Sequence, residues 1–260
     1  MLPAALAGHR PDRGMLRGAY DPPAASCGRL ELDMDLRSLD RLYVTGTDTG
    51  AGKTVASCSL LHALRRTGRR AVGMKPVASG CALVDGAWRN EDALALQAAS
   101  APRPAYADLN PFALPQPLAP ELAARAAGIE VALPPLLEAF ARLRAQADVV
   151  VVEGVGGWAA PLAGDLDQAD LVRALRAPVV LVVGMRLGCL NHARLTARAI
   201  AADGLRLAGW IASEVDPDMA CREDNLELLS ARLDAPCLGR LPYVPAPEPE
   251  RMAAGLALAG

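Results

Sequence analysis

Aromatic residues make up only 3% of this chain. So few rings leave no basis for a surface that stacks the bases of single-stranded nucleic acid. Neither sign of charge is in excess: 27 Lys and Arg stand against 29 Asp and Glu, a formal net charge of −2. No global field would therefore draw the chain to nucleic acid or to an anionic membrane. The six cysteines, Cys27, Cys58, Cys81, Cys189, Cys221 and Cys237, form no CxxC pair and no Cys/His cluster at zinc spacing. They read as reduced, inert thiols. No apolar run reaches membrane-spanning length, and the longest, Val179 to Val183, suits a buried strand. The apolar patch Met1 to Ala7 is too short for a secretory signal, and His9, Arg10 and Pro11 follow it. A cytoplasmic enzyme with no nucleic-acid or membrane partner is the expectation these absences leave.

What is present is a 260-residue chain with 52% hydrophobic residues, enough for one large α/β domain with a sizeable core. Residues 1–38 mix Pro, Gly, Arg and Asp without apolar periodicity and read as a disordered extension, with Met34 as an alternative start. Residues 39–260 read as a single domain. Strand-like runs fall at Leu42–Thr45, Ala71–Lys75, Val149–Val152, Val179–Val183 and Leu207–Ala212. Helical stretches alternate with them, one carrying Val55, Cys58, Leu61 and Leu64, a later one Leu226, Leu229 and Leu233. Strands apolar on both faces, alternating with helices, predict a mostly parallel sheet flanked by helices. Ligands of such sheets bind just beyond the carboxyl ends of the strands.

The first such end is Gly46-Thr47-Asp48-Thr49-Gly50-Ala51-Gly52-Lys53-Thr54, with a helix directly after it. Gly52-Lys53-Thr54 closes a phosphate-binding loop. Small residues such as Gly50, Ala51 and Gly52 let backbone N–H groups face phosphate oxygens. Lys53 then neutralises the β- and γ-phosphates, the Thr54 hydroxyl ligates Mg2+, and the helix N-terminus before Val55 adds partial positive charge. The usual first glycine is displaced, because Thr47 stands at its place and Gly46 lies one residue earlier. Several ATPases that partition or position cargo carry a second Lys in this part of the loop. Asp48 here speaks against that class.

The second strand runs into Lys75-Pro76-Val77-Ala78-Ser79-Gly80. A Lys at a strand end beside a phosphate loop can bridge a substrate anion and a transferring phosphoryl group, although a surface Lys is the commoner fate of that residue. Asp92 follows Asn90 in the first turn of an Ala/Leu helix. There it either complements the helix dipole or offers a hard oxygen to Mg2+. The run Val149-Val150-Val151-Val152 ends in Glu153, then Gly154-Val155-Gly156-Gly157. A carboxylate at this strand end is the second metal anchor of phosphate-loop enzymes, commonly Asp. Further on, Asn191 reads as an N-cap and His192 as structural.

Taken in order, these blocks resemble the dethiobiotin synthetases. The resemblance rests on Val44–Cys58, Lys75–Gly80, Asn90 to Leu96, Val152–Trp158, Gly188 to His192 and Leu207–Trp210, and spans about Arg41 to Pro249. It implies a phosphate-loop nucleoside-triphosphatase fold and an ATP-dependent cyclo-ligase of biotin biosynthesis. Such an enzyme inserts CO2 between the two amines of 7,8-diaminononanoate, with ADP and phosphate released. It also implies roles by position. Lys75 and Lys53 would be catalytic, and Thr54, Asp92 and Glu153 would form the Mg2+ shell. Ser79, Thr49, Gly156 and Asn191 would contact substrate. ATP would be held by Gly50 to Val55, Asp92, Glu153 to Gly156, Ser213, Glu214, and the adenosine-side segment Pro242-Tyr243-Val244. A homodimer is implied, with the Gly188–Asn191 region reaching across its interface.

Some positions depart from the family pattern. Gly50 stands where the family often has Glu. Ser213 stands at the adenine-reading Asn and Glu214 follows it where Asp is usual. Leu118 and Glu121 replace a polar residue and a His. Two rival readings remain at this point. One is an amidotransferase-type ligase like the cobyrinic acid diamide synthases, whose extra glutaminase domain this length does not accommodate. The other is a nucleotide-switched ATPase acting on a protein partner, against which Asp48 and the Lys75–Ser79 block both speak.

Overall fold

The structure is a computed structural model and describes residues 35–258. Six strands form its central sheet: β1 (Arg41–Gly46), β2 (Ala71–Met74), β3 (Val149–Gly157), β4 (Val179–Met185), β5 (Leu207–Glu214) and β6 (Cys237–Leu241). They lie in the order β6-β5-β4-β1-β3-β2, and every neighbouring pair is parallel. Alternation along the strands divides the core. Leu42, Val44, Val149, Val151, Val180 and Val182 pack on one face against Leu60, Leu61 and Leu64. Those three leucines belong to α1 (Lys53–Arg66). Tyr43, Val72, Val150 and Val152 face the other side, against Leu136 and Leu143 of helix Leu133–Gln146 and Val172 of helix Gln168–Leu175. Both faces of the sheet are thus covered, which is why its strands read as unbroken β-branched runs.

All five strand-like runs named from the sequence are strands. β6 is the one that pattern reading passed over. It is short, interrupted by Gly239 and Arg240, and paired along its length only with β5, its other side meeting no more than the bridge from Gly239 to Leu256 and the Ala257 N–H that donates to Leu238 O. Two helix boundaries also differ from expectation. Leu233 lies beyond helix Arg222–Ser230, and Asn191 lies inside the first turn of helix Cys189–Ala202, whose N-cap is Gly188 in a left-handed conformation. Of the extension expected over residues 1–38, residues 1–34 lie outside the described residues. Leu36–Ser38 form a 3-10 turn, Leu36 is fully buried in the core, and its N–H donates to Leu258 O. The packed domain therefore begins ahead of the boundary at 39.

Gly239 in β6 marks a close backbone approach. Its φ is +146°, and a Cβ there would sit 2.2 Å from Gly255 O. Gly239→Ala is expected to destabilise the fold by about 2–4 kcal/mol, since it combines strain at a glycine-only conformation with a clash against backbone. A denaturant titration checks this, and an unchanged midpoint would contradict it.

Candidate active site

Parallel strands deliver all their carboxyl ends to one edge of the sheet, and five of these ends are chemically loaded. The loop after β1 climbs to Gly52, which takes φ +85° to start α1. A Cβ at Gly52 would meet Ser213 Oγ at 2.2 Å, so the loop rests directly on the end of β5. Lys53 Nζ donates to Asp48 O at 3.1 Å, folding the loop around its own ammonium. Asp48 braces the outer side, accepting from Arg186 Nη2 at 2.8 Å and from Thr49 N at 2.7 Å.

Beneath this loop lies a cluster of opposite charges. Lys75, just past β2, is 3% exposed, and Glu153 in β3 is fully buried. Lys75 Nζ donates to Glu153 Oε1 at 2.6 Å, to Asp92 Oδ2 at 3.0 Å and to Gly154 O at 3.3 Å. Thr54 Oγ1 donates to the same Glu153 Oε1 at 2.9 Å. Asp92 comes from α2 (Glu91–Ala99), whose N-cap Asn90 accepts from Ala93 N. Burial works against the Lys75 charge, but Glu153 and then Asp92 more than offset it and hold its pKa above the ordinary lysine value. Lys53 goes the other way, pushed down by burial and then by the positive charge of Lys75. Burial raises Asp92, yet Lys75 outweighs it and leaves that carboxyl below its usual value.

A cavity of about 920 Å3 opens above this cluster. Lys53, Thr54, Lys75 and Asp92 form its polar end, with Thr49, Gly50, Gly52, Val55 and Ser79 around them. Val155, Gly156 and Gly157 close one side, and Pro117, Leu118, Ala119 and Pro120 form an apolar wall. Most of the residues singled out in the sequence thus meet in one place. Glu153 and Gly154 lie in the floor beneath it, and Ala51 is buried behind the loop.

The remaining ones do not line this cavity. Ser213 is buried against Gly52. The Glu214 carboxylate is engaged by Arg240 and, at 3.3 Å, by Arg222. Pro242 and Val244 line a separate cavity of about 420 Å3 with Arg240 and Met252, and Tyr243 is half-exposed. Asn191 is exposed on its helix, away from both. Glu121 pairs with Arg125 one turn on and is not part of the wall.

Two supporting amides, Asn110 and Gln168, were not named in the sequence, and a third, Asn90, was named there only as the start of a family block. Asn110 Nδ2 donates to Lys75 O at 2.7 Å, fixing the backbone that carries the ammonium. Asn90 Nδ2 donates to Ser79 O at 3.3 Å. Gln168 Nε2 donates to Gly157 O at 2.6 Å, while its Oε1 accepts from Val155 N and from the Tyr43 hydroxyl, so one side chain pins the glycine turn after β3. Asn110 and Gln168 are lone amides in their local sequence and only their tertiary partners mark them, whereas Asn90 is also the N-cap of α2.

The oxygens of Thr54, Asp92 and Glu153 suit a hard divalent cation. All three sit around one point near Lys75 Nζ, and Glu153 Oε2 is buried with no hydrogen-bond partner. Among the described residues no three His, Cys, Asp or Glu gather as a self-sufficient metal cage.

Comparison with known proteins bears on what this site serves. The family described as an AAA domain matches residues 40–251. The ATP-dependent dethiobiotin synthetase BioD of Xanthomonas oryzae pv. oryzae is 68% identical over 216 residues, covering 83% of this chain and 96% of that protein. The chain belongs to the dethiobiotin synthetase family. The synthetase of the same name from Xylella fastidiosa is 68% identical over 208 residues, covering 80% of this chain and 92% of its own length. Among solved structures, the MinC:MinD cell division protein complex of Aquifex aeolicus aligns with TM-score 0.49 and 13% identity, over 80% of this chain and 83% of that one.

Proposed function

We propose that this chain closes the ureido ring of dethiobiotin from 7,8-diaminononanoate and CO2 at the expense of ATP. The observation that carries the reading is Lys75, a buried ammonium between two carboxylates at the polar end of a cavity that also holds the phosphate loop. CO2 adds to one amine of the diamine and gives a carbamate with loss of a proton. The carbamate oxygen takes the γ-phosphoryl group of ATP, with ADP leaving, and forms a carbamic-phosphoric anhydride. The second amine attacks the anhydride carbon, closes the ring and expels phosphate.

The protein's part is positioning and charge stabilisation. Backbone N–H groups of Gly50 to Val55 receive the phosphates, and Lys53 neutralises them. Lys75 steadies the carbamate and the incoming phosphoryl group. Thr49, Ser79 and Gly156 contact the diamine end, and the Pro117–Pro120 wall faces its alkyl arm. Thr54, Asp92 and Glu153 would hold Mg2+, which when bound supplies positive charge beside the β- and γ-phosphates. Ser213 and Glu214, with Pro242-Tyr243-Val244, bound the adenosine end.

A second copy of the chain completes the enzyme in this reading. Leu187, just ahead of helix Cys189–Ala202, is 97% exposed, and Leu195, 54% exposed, lines a cavity of about 370 Å3 with Thr47, Trp158 and His192. A dimer through this face would cover them and carry Asn191 to the partner's substrate. The reading places the enzyme in the cytoplasm with its ATP supply. No described helix is long and apolar enough to cross a membrane.

ADP release with Mg-ATP and bicarbonate, with and without 7,8-diaminononanoate, tests the function. Diamine-dependent release matched by dethiobiotin is expected. ATP turnover indifferent to diamine, in folded protein, would overturn it. The base subsite makes a further prediction. Ser213 offers one hydroxyl where an Asn amide would both donate to and accept from the base edge. ATP, GTP and CTP should therefore support comparable kcat/KM, whereas an ATP preference of about a thousandfold, roughly 4 kcal/mol of discrimination, would contradict this.

A further inference from the structure

Lys75 Nζ lies 2.6 Å from Glu153 Oε1 and 3.0 Å from Asp92 Oδ2, and Thr54 Oγ1 shares that same Glu153 oxygen at 2.9 Å. The ammonium therefore sits among the oxygens that the proposed function gives to Mg2+. The side chain is almost wholly enclosed, with 4% of its surface exposed, so it cannot turn aside into solvent without leaving the carboxylates. The ammonium held on Glu153 Oε1 opposes a divalent cation approaching the same buried carboxylate, whether at that oxygen or at the unpartnered Oε2, because their mutual repulsion in a poorly screened site offsets much of what a single anion offers. The local charges also balance as they stand. Lys53 and Lys75 supply two positive charges, and Asp92 and Glu153 supply two negative ones. A divalent cation entering alone would leave a surplus of two positive charges. One entering with a nucleotide brings the phosphate anions that cancel it.

We propose that Lys75 serves as a built-in counter-ion of the metal shell, excluding divalent cations that arrive without nucleotide and moving into the substrate cavity when a metal–nucleotide complex displaces it. The inference rests on the reading of Thr54, Asp92 and Glu153 as metal ligands. Its consequence is an ordering of events: the ammonium that steadies the carbamate reaches its working position only once the phosphoryl donor is in place. Ser79 and Asn90, which line the cavity above Lys75, mark the side toward which it would move.

The test uses Mn2+ as the probe cation, titrated into the full chain and followed by its electron paramagnetic resonance, with and without ADP. Without ADP, Lys75→Met and Lys75→Gln are expected to bind Mn2+ at least ~10-fold more tightly than the wild type, the scale on which groups around a metal site alter affinity. ADP should remove most of that difference. Equal Mn2+ affinity of wild type and variants in the absence of ADP would overturn the proposal.

A measurement on the wild type alone covers the case of variants that do not fold. Acylation of Lys75 by acetic anhydride, quantified by peptide mass spectrometry, should rise severalfold when Mn2+ and ADP are added together, and by less with Mn2+ alone. An unchanged Lys75 reactivity would also overturn it. Failure of Mn2+ to bind even with ADP would remove the metal assignment itself, and this inference with it. Diamine-dependent ADP release measured on the same preparation separates that outcome from failure of the function.

Discussion

Replacing Lys75 with alanine should lower turnover by at least ~100-fold, the loss seen when a group that stabilises developing charge is removed. The ammonium is the cation placed between the Asp92 and Glu153 carboxylates and the open cavity, where the proposed function puts both the carbamate and the transferring phosphoryl group. The same change strips a buried carboxylate of its counter-charge. Glu153 would keep the Thr54 hydroxyl, while its Oε2 already has no partner, so a stability loss of about 3–5 kcal/mol should accompany the kinetic one. Lys75→Arg separates the two effects. It restores charge and much of the stability but misplaces the donor, so turnover should stay low. A near-normal rate for the alanine variant would refute the catalytic assignment.

The pH dependence follows from the direction of the shifts. Lys75 has its folded pKa raised, so its stabilisation is complete below the ordinary lysine value and is lost only as pH rises through the higher folded one. Asp92 has its pKa lowered, so its contribution holds above the ordinary carboxylate value and fades as pH falls through the depressed one. Between these limits Lys75 and Asp92 should contribute a constant stabilisation across the neutral range. Thermal denaturation at several pH values would show it.

Glu153→Gln should have the second large effect, a fall in kcat/KM of at least ~100-fold, since even groups that only support a metal ligand cost 10–100-fold. The substitution keeps volume and an acceptor for Thr54, so it isolates charge. The Mg2+ concentration for half-maximal activity should rise at least ~10-fold on the same scale. Unlike Lys75→Ala, the variant leaves a buried ammonium with only the half-exposed Asp92 as counter-charge. An unaltered Mg2+ requirement would show that Glu153 is not a ligand and serves only to hold Lys75.

The sequence by itself determined the architecture and which strand ends would gather most of the candidate residues. Runs such as Val149–Val152 and Val179–Val183 can be buried only within a sheet covered on both sides, and the rule that ligands meet strand ends then placed Lys53, Lys75 and Glu153 at one edge. Those inferences depend on local pattern and spacing, which a linear chain displays directly. Tertiary structure alone decided the rest. It joined Lys75 to Asp92 and Glu153, residues 17 and 78 positions away, and set Asn110 and Gln168 as supports for the backbone around the site. It also kept Asn191 out of the cavity and tied Glu214 to Arg240 and Arg222. Pattern reading missed β6 because an edge strand that carries Gly239 and Arg240 shows no continuous apolar run, and its place comes from pairing with β5. A lone amide or carboxylate has many partners available along the chain. Which one it meets is settled by the folding of distant segments, and that choice leaves no periodic trace in the sequence.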